Sequence, residues 1–185
     1  MEHLSRGLRP WIALLYRLRD RVPHRSLLDL YFSMIHLRTL YLIEGWGTAN
    51  KKWRSVIQVL LNQAIRAIYF LPPRTPRAEM YQDAARGILP VLGLYDCAVS
   101  KYTFEVTHGL THSNIEFQQA NGTNGRRHHR LLVPRTHTKA GDGRISVAGP
   151  RVYNTMPMRA RTAESISLHT KESRLFVKLN IEKYL

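Results

Sequence analysis

The chain has 185 residues, 44% of them hydrophobic, enough to bury a core and too many for wholesale disorder. Its 28 Lys and Arg against 13 Asp and Glu give +15, an imbalance that favours polyanionic partners, nucleic acid or an anionic membrane surface. Cys97 is the single cysteine, so no intrachain disulfide or Cys-rich zinc site can form, and a reducing setting fits.

The first 109 residues predict a helical bundle. Pro10 suits a first helical position, and Trp11, Leu14, Leu15 and Leu18 repeat at helical spacing until Pro23. The run "WIALLY" is only six residues between charged flanks, too short for a secretory core. Nowhere do about 18 apolar residues follow one another, so no membrane span is expected. Ser26 with Asp29 forms a capping signal ahead of a second helix carrying Leu27, Leu30, Tyr31, Met34 and Leu37 on one face. Gly45-Trp46-Gly47 breaks it.

A third helix is expected from Trp53 to Leu71, with Trp53, Ile57, Leu60, Ala64 and Ile68 as its apolar stripe. Arg54, Gln58, Asn62 and Arg66 mark its polar side, and Pro72-Pro73 ends it. A fourth runs from Thr75-Pro76 to Gly87. A fifth follows "ILPVLGL" and carries Tyr95, Val99, Tyr102 and Val106 until Gly109.

Composition then shifts. Residues 110–143 read as a basic irregular connector, with four Gly, two Asn and one Pro between Asn121 and Gly143. From Asn121 to Arg161 there are nine Arg or Lys against one acid, Asp142, a local +8 out of the total +15. Residues 144–185 then form a small C-terminal module. Ile145 to Ala148 is its one plausible short strand, Gly149-Pro150 starts a brief helix, and a last helix spans Ser167 to Tyr184 with Leu168, Leu175, Phe176 and Leu179 inward. The fold class is therefore mainly α: a helical bundle, a basic connector and a small module.

No constellation supports an autonomous active site. Phosphoryl transfer to a growing strand needs clustered carboxylates holding two metal ions. Here the acids are scattered singly, and Glu79 with Asp83 reads as a solvated helical stripe. There is no Gly-rich phosphate loop with its Lys and no Gly-x-Ser-x-Gly elbow. Cys97 on a helical pattern reads as a small core residue. His128, His129 and His137 form one histidine set, and His108 with His112 another. Neither includes a Cys or an acid, and zinc wants three or four ligands, so no metal is assigned. Polyanion binding is the stronger reading of the basic stretch: Arg126, Arg127, Arg130, Arg135, Lys139 and Arg144 can neutralise phosphates and release counterions. A solvated loop is the alternative.

The order of these pieces carries a resemblance. "LLDLYFSMIHLRTLYLIEGWG" holds Tyr41, Trp46 and Gly47; "LLNQAIRAIYFLPP" holds Gln63, Arg66 and Ile68; "ILPVLGLYDCAVSKYTFEVTHGL" holds Ile88, Leu89, Pro90, Leu94 and Tyr95. His128-His129-Arg130, Val133-Pro134-Arg135, and Gly149-Pro150 with Tyr153, Asn154 and Pro157 follow, then Phe176 in a closing helix. This order resembles the region downstream of the palm in the reverse transcriptases of non-LTR retrotransposons of the jockey type, over nearly the whole chain. His129 stands where Thr is usual and Met156 where Leu is usual.

The resemblance implies a thumb-like, nucleic-acid-holding region of an RNA-directed DNA polymerase. Arg54, Arg66 and the basic stretch would contact the backbone of RNA or an RNA–DNA hybrid. Catalytic carboxylates and magnesium would belong to an upstream palm, leaving no catalytic residue and no cofactor in this chain. Beginning at Met1, the sequence reads as a truncated copy in a nuclear or cytoplasmic setting. The alternative is a non-catalytic helical module docking on a polymerase or host protein.

Overall fold

The computed structural model describes residues 2–48, 50–81, 87–120 and 129–184. These residues are mainly helical, and their only β pairing is the isolated bridge between Gln119 and Leu131. The chain packs as two compact units, Met1–Leu94 with Ile181–Leu185, and Tyr95–Asn180. The division falls within one helix and so at a different place from the expected limits at 109 and 143.

The first unit opens with α1, Glu2–Leu18, which begins well before Pro10 and runs through it. Burial of Leu8, Ile12 and Leu15 along one face supplies about 1.5–3 kcal/mol per side chain, enough to absorb the hydrogen bond Pro10 cannot make. The inward face is therefore turned away from the expected Trp11, Leu14 and Leu18. Trp11 stays half-buried, with the Arg38 guanidinium 5.4 Å from its ring centroid.

Helix α2, His24–Leu30, starts directly after Pro23, whose φ of −58° and ψ of 147° set the entry. The expected Ser26 and Asp29 cap is not used, because Pro23 takes the N-cap position three residues earlier and the Ser26 N–H donates to the Pro23 carbonyl at 3.0 Å. Tyr31–His36 forms a wider π turn that buries Tyr31, Ile35 and His36, and the helix continues as α3, Leu37–Leu40. Leu42 sits in the left-handed region at φ 52° and leads into α4, Ile43–Trp46.

Helix α5, Lys51–Tyr69, is the backbone of the unit. The Asn50 side chain accepts from the Lys52 N–H, and Ile57, Leu61, Ala64, Ile65 and Ile68 are buried along its length, where α1 packs. It stops at Phe70, left-handed at φ 54°, with the Phe70 and Leu71 N–H groups both donating to the Arg66 carbonyl before Pro72-Pro73. Helix α6, Arg77–Glu79, is the described beginning of the expected fourth helix, whose later residues 82–86 lie outside the description.

Helix α7, Val91–Thr107, ends as the sequence predicts, with Gly109 at φ +66° and the Leu110 N–H donating to the Glu105 carbonyl. Its later residues belong to the second unit, together with α8, Lys139–Asp142; α9, Ile145–Thr155; α10, Met158–Arg161; and α11, Ile166–Leu179. A 3₁₀ turn, Ile181–Tyr184, follows in the first unit.

The expected strand at Ile145 to Ala148 is corrected: these residues are the first turn of α9, which starts four residues before the expected Gly149. Four residues alternating Ile-Ser-Val-Ala fit either period, and burial of Val147 and Ala148 selects the helix. Gly149 lies mid-helix because the space is taken: a Cβ there would sit 2.8 Å from Thr103 Oγ1 and 3.1 Å from Phe117 Cζ. The last helix is likewise turned from its expected face. Leu168, Leu175 and Leu179 are exposed, and His169, Ser173 and Val177 point inward.

Candidate nucleic-acid interface

The cations that the sequence groups together depend for their position on a small core in the second unit. Phe104, Leu131, Tyr153 and Ala163 form it, with Phe117 and Ile166 packed against them. Leu131 is the anchor of the basic stretch. Asn154 holds it from α9: the Leu131 N–H donates to Asn154 Oδ1 at 2.9 Å, and Asn154 Nδ2 donates to the Leu131 carbonyl at 2.8 Å. On either side, the Ala120 N–H donates to the Arg130 carbonyl and the Leu132 N–H to the Gln118 carbonyl. Arg130 is thus fixed by its main chain, and its side chain is exposed.

Arg161 lies beneath the same turn. It is buried, and its Nη1 donates to the His129 carbonyl at a long 3.4 Å. Its Nε is buried with no hydrogen-bond partner among the described residues. Burial first, and then the like charge of Arg130, pull its pKa below the usual guanidinium value.

Downstream, Asp142 ties the chain back on itself. Thr136 Oγ1 donates to its carboxylate, as does Arg151 Nη2 at 3.1 Å. The Thr136 hydroxyl and then Arg151 hold this carboxyl below its usual range. Thr138 caps α8 by accepting from the Gly141 N–H. Arg135 lies just before this knot and Arg144 just after it, at the N-cap of α9; both are exposed. None of Arg130, Arg135 and Arg144 is in an ion pair among the described residues.

The other expected contacts fare differently. Arg126 and Arg127 lie outside the described residues, as does the side chain of Lys139, whose backbone opens α8. Arg54 and Arg66 belong to the first unit and are half-buried. Twelve residues separate them along α5, about 18 Å of helix axis. The polar row between them turns inward. Gln58 Nε2 donates to Asn62 Oδ1 at 2.8 Å and to Tyr81 Oη at 2.7 Å, while Gln58 Oε1 accepts from the Val91 N–H. Tyr81 Oη in turn donates to Asn62 Oδ1 at 3.0 Å, and burial raises the pKa of its phenol. Gln58 and Asn62 are structural residues that fasten the start of α7 to α5.

Sequence reasoning missed one further group. His169 is fully buried, with its ring stacked 4.4 Å from Phe104 and 6.0 Å from Tyr153. Its Nδ1 lies 2.8 Å from the Ala160 carbonyl, which can only accept, so Nδ1 carries the proton and Nε2 accepts from the Ser100 hydroxyl at 3.0 Å. Burial lowers its pKa, which fits this neutral tautomer. The pair has the spacing of a nucleophile and its base, but Ser100 is also fully buried, so no substrate reaches it. Its role is to close the core.

Cys97 is equally unsuited to nucleophilic work, because burial pushes its thiol up to about 12. Among the other histidines, His108 stacks on Phe104 at 4.0 Å and bonds the Phe104 carbonyl through Nδ1, while His112, His129 and His137 are exposed. Among the described residues no three His, Cys, Asp or Glu side chains lie close enough to hold a metal ion, and no helix is long and apolar enough to cross a membrane. No family model, curated protein or solved structure matches the chain, so the case for its chemistry rests on these residues.

Proposed function

We propose that the chain is a post-palm, thumb-like region of a non-LTR retrotransposon reverse transcriptase, holding RNA or an RNA–DNA hybrid by its backbone and not polymerising by itself. The observation that carries this reading is the charge left unbalanced in the second unit. Arg130, Arg135 and Arg144 are exposed and have no acid partner among the described residues, while Asp142 is already committed to Thr136 and Arg151. Guanidinium forks held this way suit phosphate oxygens and carry no base readout.

The residues behind the resemblance add support of a different kind. Gly149, Tyr153 and Asn154 hold the unit together: Gly149 packs on Thr103, Tyr153 Oη donates to the Arg161 carbonyl, and Asn154 holds Leu131. They are residues a related fold would need, whatever it binds. In this reading catalytic carboxylates and magnesium belong to an upstream palm, and the setting is nuclear or cytoplasmic.

The test is the salt dependence of binding to an RNA–DNA hybrid. Binding should weaken steeply with salt, and the triple variant Arg130→Glu, Arg135→Glu, Arg144→Glu should flatten the log–log slope by about 2–3. A flat wild-type response refutes the proposal.

A second reading, docking on a polymerase or host protein, is favoured by a different observation. Leu168, Leu175 and Leu179 lie on one face of α11 and are exposed, Leu179 at 77%. Binding to such a partner would survive the charge reversal and be lost in Leu175→Asp with Leu179→Asp.

A further inference from the structure

Phe70 poses a conflict that the packing of the first unit does not resolve. It ends α5 in the left-handed region at φ 54°, where glycine or asparagine is the usual residue and a bulky side chain is strained. Burial does not offset the strain, because Phe70 is 50% exposed. The Arg19 guanidinium lies 5.5 Å from its ring centroid and 5.9 Å from that of Tyr16, which is also exposed. We propose that Phe70, Arg19 and Tyr16 form a stacking platform for an unpaired base of a nucleic-acid strand.

The surroundings decide what the rings would meet. The end of α1, the turn after it and the first residues of α2 carry Arg17, Arg19, Arg21 and Arg25 against one acid, Asp20. The start of α2 is held beside the end of α5, where the His24 ring meets Tyr69 edge-on at 5.0 Å. The chain leaving Phe70 adds Arg74. Asp20 pairs with Arg19 at 3.6 Å, whereas Arg17, Arg21, Arg25 and Arg74 are exposed and in no ion pair among the described residues.

An exposed ring takes a flat or apolar partner, and a rim of arginines takes an anionic one. A nucleotide is both. Every base has a π face, so the contact tolerates any sequence, and the adjoining phosphates meet the arginines. The base has to be unpaired, because a duplex covers its base faces with neighbouring pairs except at its ends. An anionic lipid surface shares the charge but is met by a broad apolar face, whereas these two rings stand among charged side chains. The platform goes beyond the backbone contacts proposed for Arg130, Arg135 and Arg144, which lie in the other unit.

The test is the affinity of the full chain for a fluorescein-labelled deoxythymidine octamer, set against an abasic octamer of equal charge. Wild type should favour the octamer with bases by about fivefold or more. Phe70→Asn suits the left-handed backbone, so it should fold with an unchanged or raised Tm and lose that preference, while Phe70→Trp should keep it. Tyr16→Ala, at an exposed position, should weaken the preference and decides the matter if Phe70→Asn fails to fold. Equal affinity for the two octamers in wild type, or a full preference in a folded Phe70→Asn or Tyr16→Ala variant, overturns the proposal. Binding to phosphatidylserine vesicles that depends on Phe70, with no base preference, overturns it too and makes the patch a lipid contact. The triple variant at Arg130, Arg135 and Arg144 should weaken both octamers alike and leave their ratio unchanged, which separates this platform from the backbone-binding reading.

Discussion

Replacing Asn154 by alanine should loosen the second unit while leaving the first intact. The side chain makes two hydrogen bonds to one residue, accepting from the Leu131 N–H at 2.9 Å and donating to its carbonyl at 2.8 Å. Leu131 is only 3% exposed, so both main-chain groups would lose a partner where water enters poorly. At about 1–3 kcal/mol for each buried group left unsatisfied, and allowing for partial relaxation, the expected loss is about 2–4 kcal/mol. Asn154→Asp is the informative companion. It keeps the acceptor for the Leu131 N–H but sets a carboxylate oxygen against the Leu131 carbonyl, so it should be no better tolerated. The assay has to read the right unit. All three tryptophans, Trp11, Trp46 and Trp53, lie in the first, so their fluorescence will report little. Native-state hydrogen exchange of the α9 amides in the second unit will report the change directly. A loss below about 0.5 kcal/mol in both variants would refute the reasoning, because that is the range of an ordinary surface change.

Three further outcomes follow from the same geometry. His169 has a folded-state pKa below its unfolded value, so the unfolded chain binds more protons: stability should hold above about pH 6.5 and fall as pH drops from there towards the depressed pKa. Thermal melts from pH 7.5 to 5 should show this fall, and His169→Gln should lessen it; an identical slope in the variant would remove His169 as its source. Gly149→Ala gains up to about 1 kcal/mol of helix propensity but puts a Cβ 2.8 Å from Thr103 Oγ1, itself bonded to the Val99 carbonyl, so a net loss of about 1–2 kcal/mol should appear as a lowered Tm. Cys97, with its thiol pushed up to about 12, should react with iodoacetamide at pH 8 far more slowly than free cysteine, and a rate equal to the free amino acid would contradict its burial.

Some helix ends were legible in the residues, because those stop signals are local, whereas the starts of α1, α2 and α9 were not. Pro72-Pro73 and Gly109 mark the stops of their helices by backbone chemistry. Which face turns inward was less legible. In α1 the pattern favours Trp11, Leu14, Leu15 and Leu18, yet of these only Leu15 is buried, beside Leu8 and Ile12, because an indole can stay half-exposed under an arginine. In α11 the leucines stay outside while a histidine and a serine go in. His169 is tolerated there because Ala160 and Ser100, 9 and 69 residues away, satisfy its two nitrogens. A pattern read along one helix contains no trace of such distant partners. The same limit applies to the candidate sites. Arg130, Arg135 and Arg144 are legible as a charged stretch, whereas the clamp that holds Leu131 needs Asn154, 23 residues further along the chain.

The paired carbonyls and amides around Leu131 have a consequence for how the chain can change. The bridge between Gln119 and Leu131, which Asn154 fastens from beneath, ties together two points twelve residues apart in the chain. A segment tied at both ends costs little to lengthen: doubling it adds about 0.6 kcal/mol of closure entropy. By closure entropy alone, a reporter inserted between these two points should cost folding little.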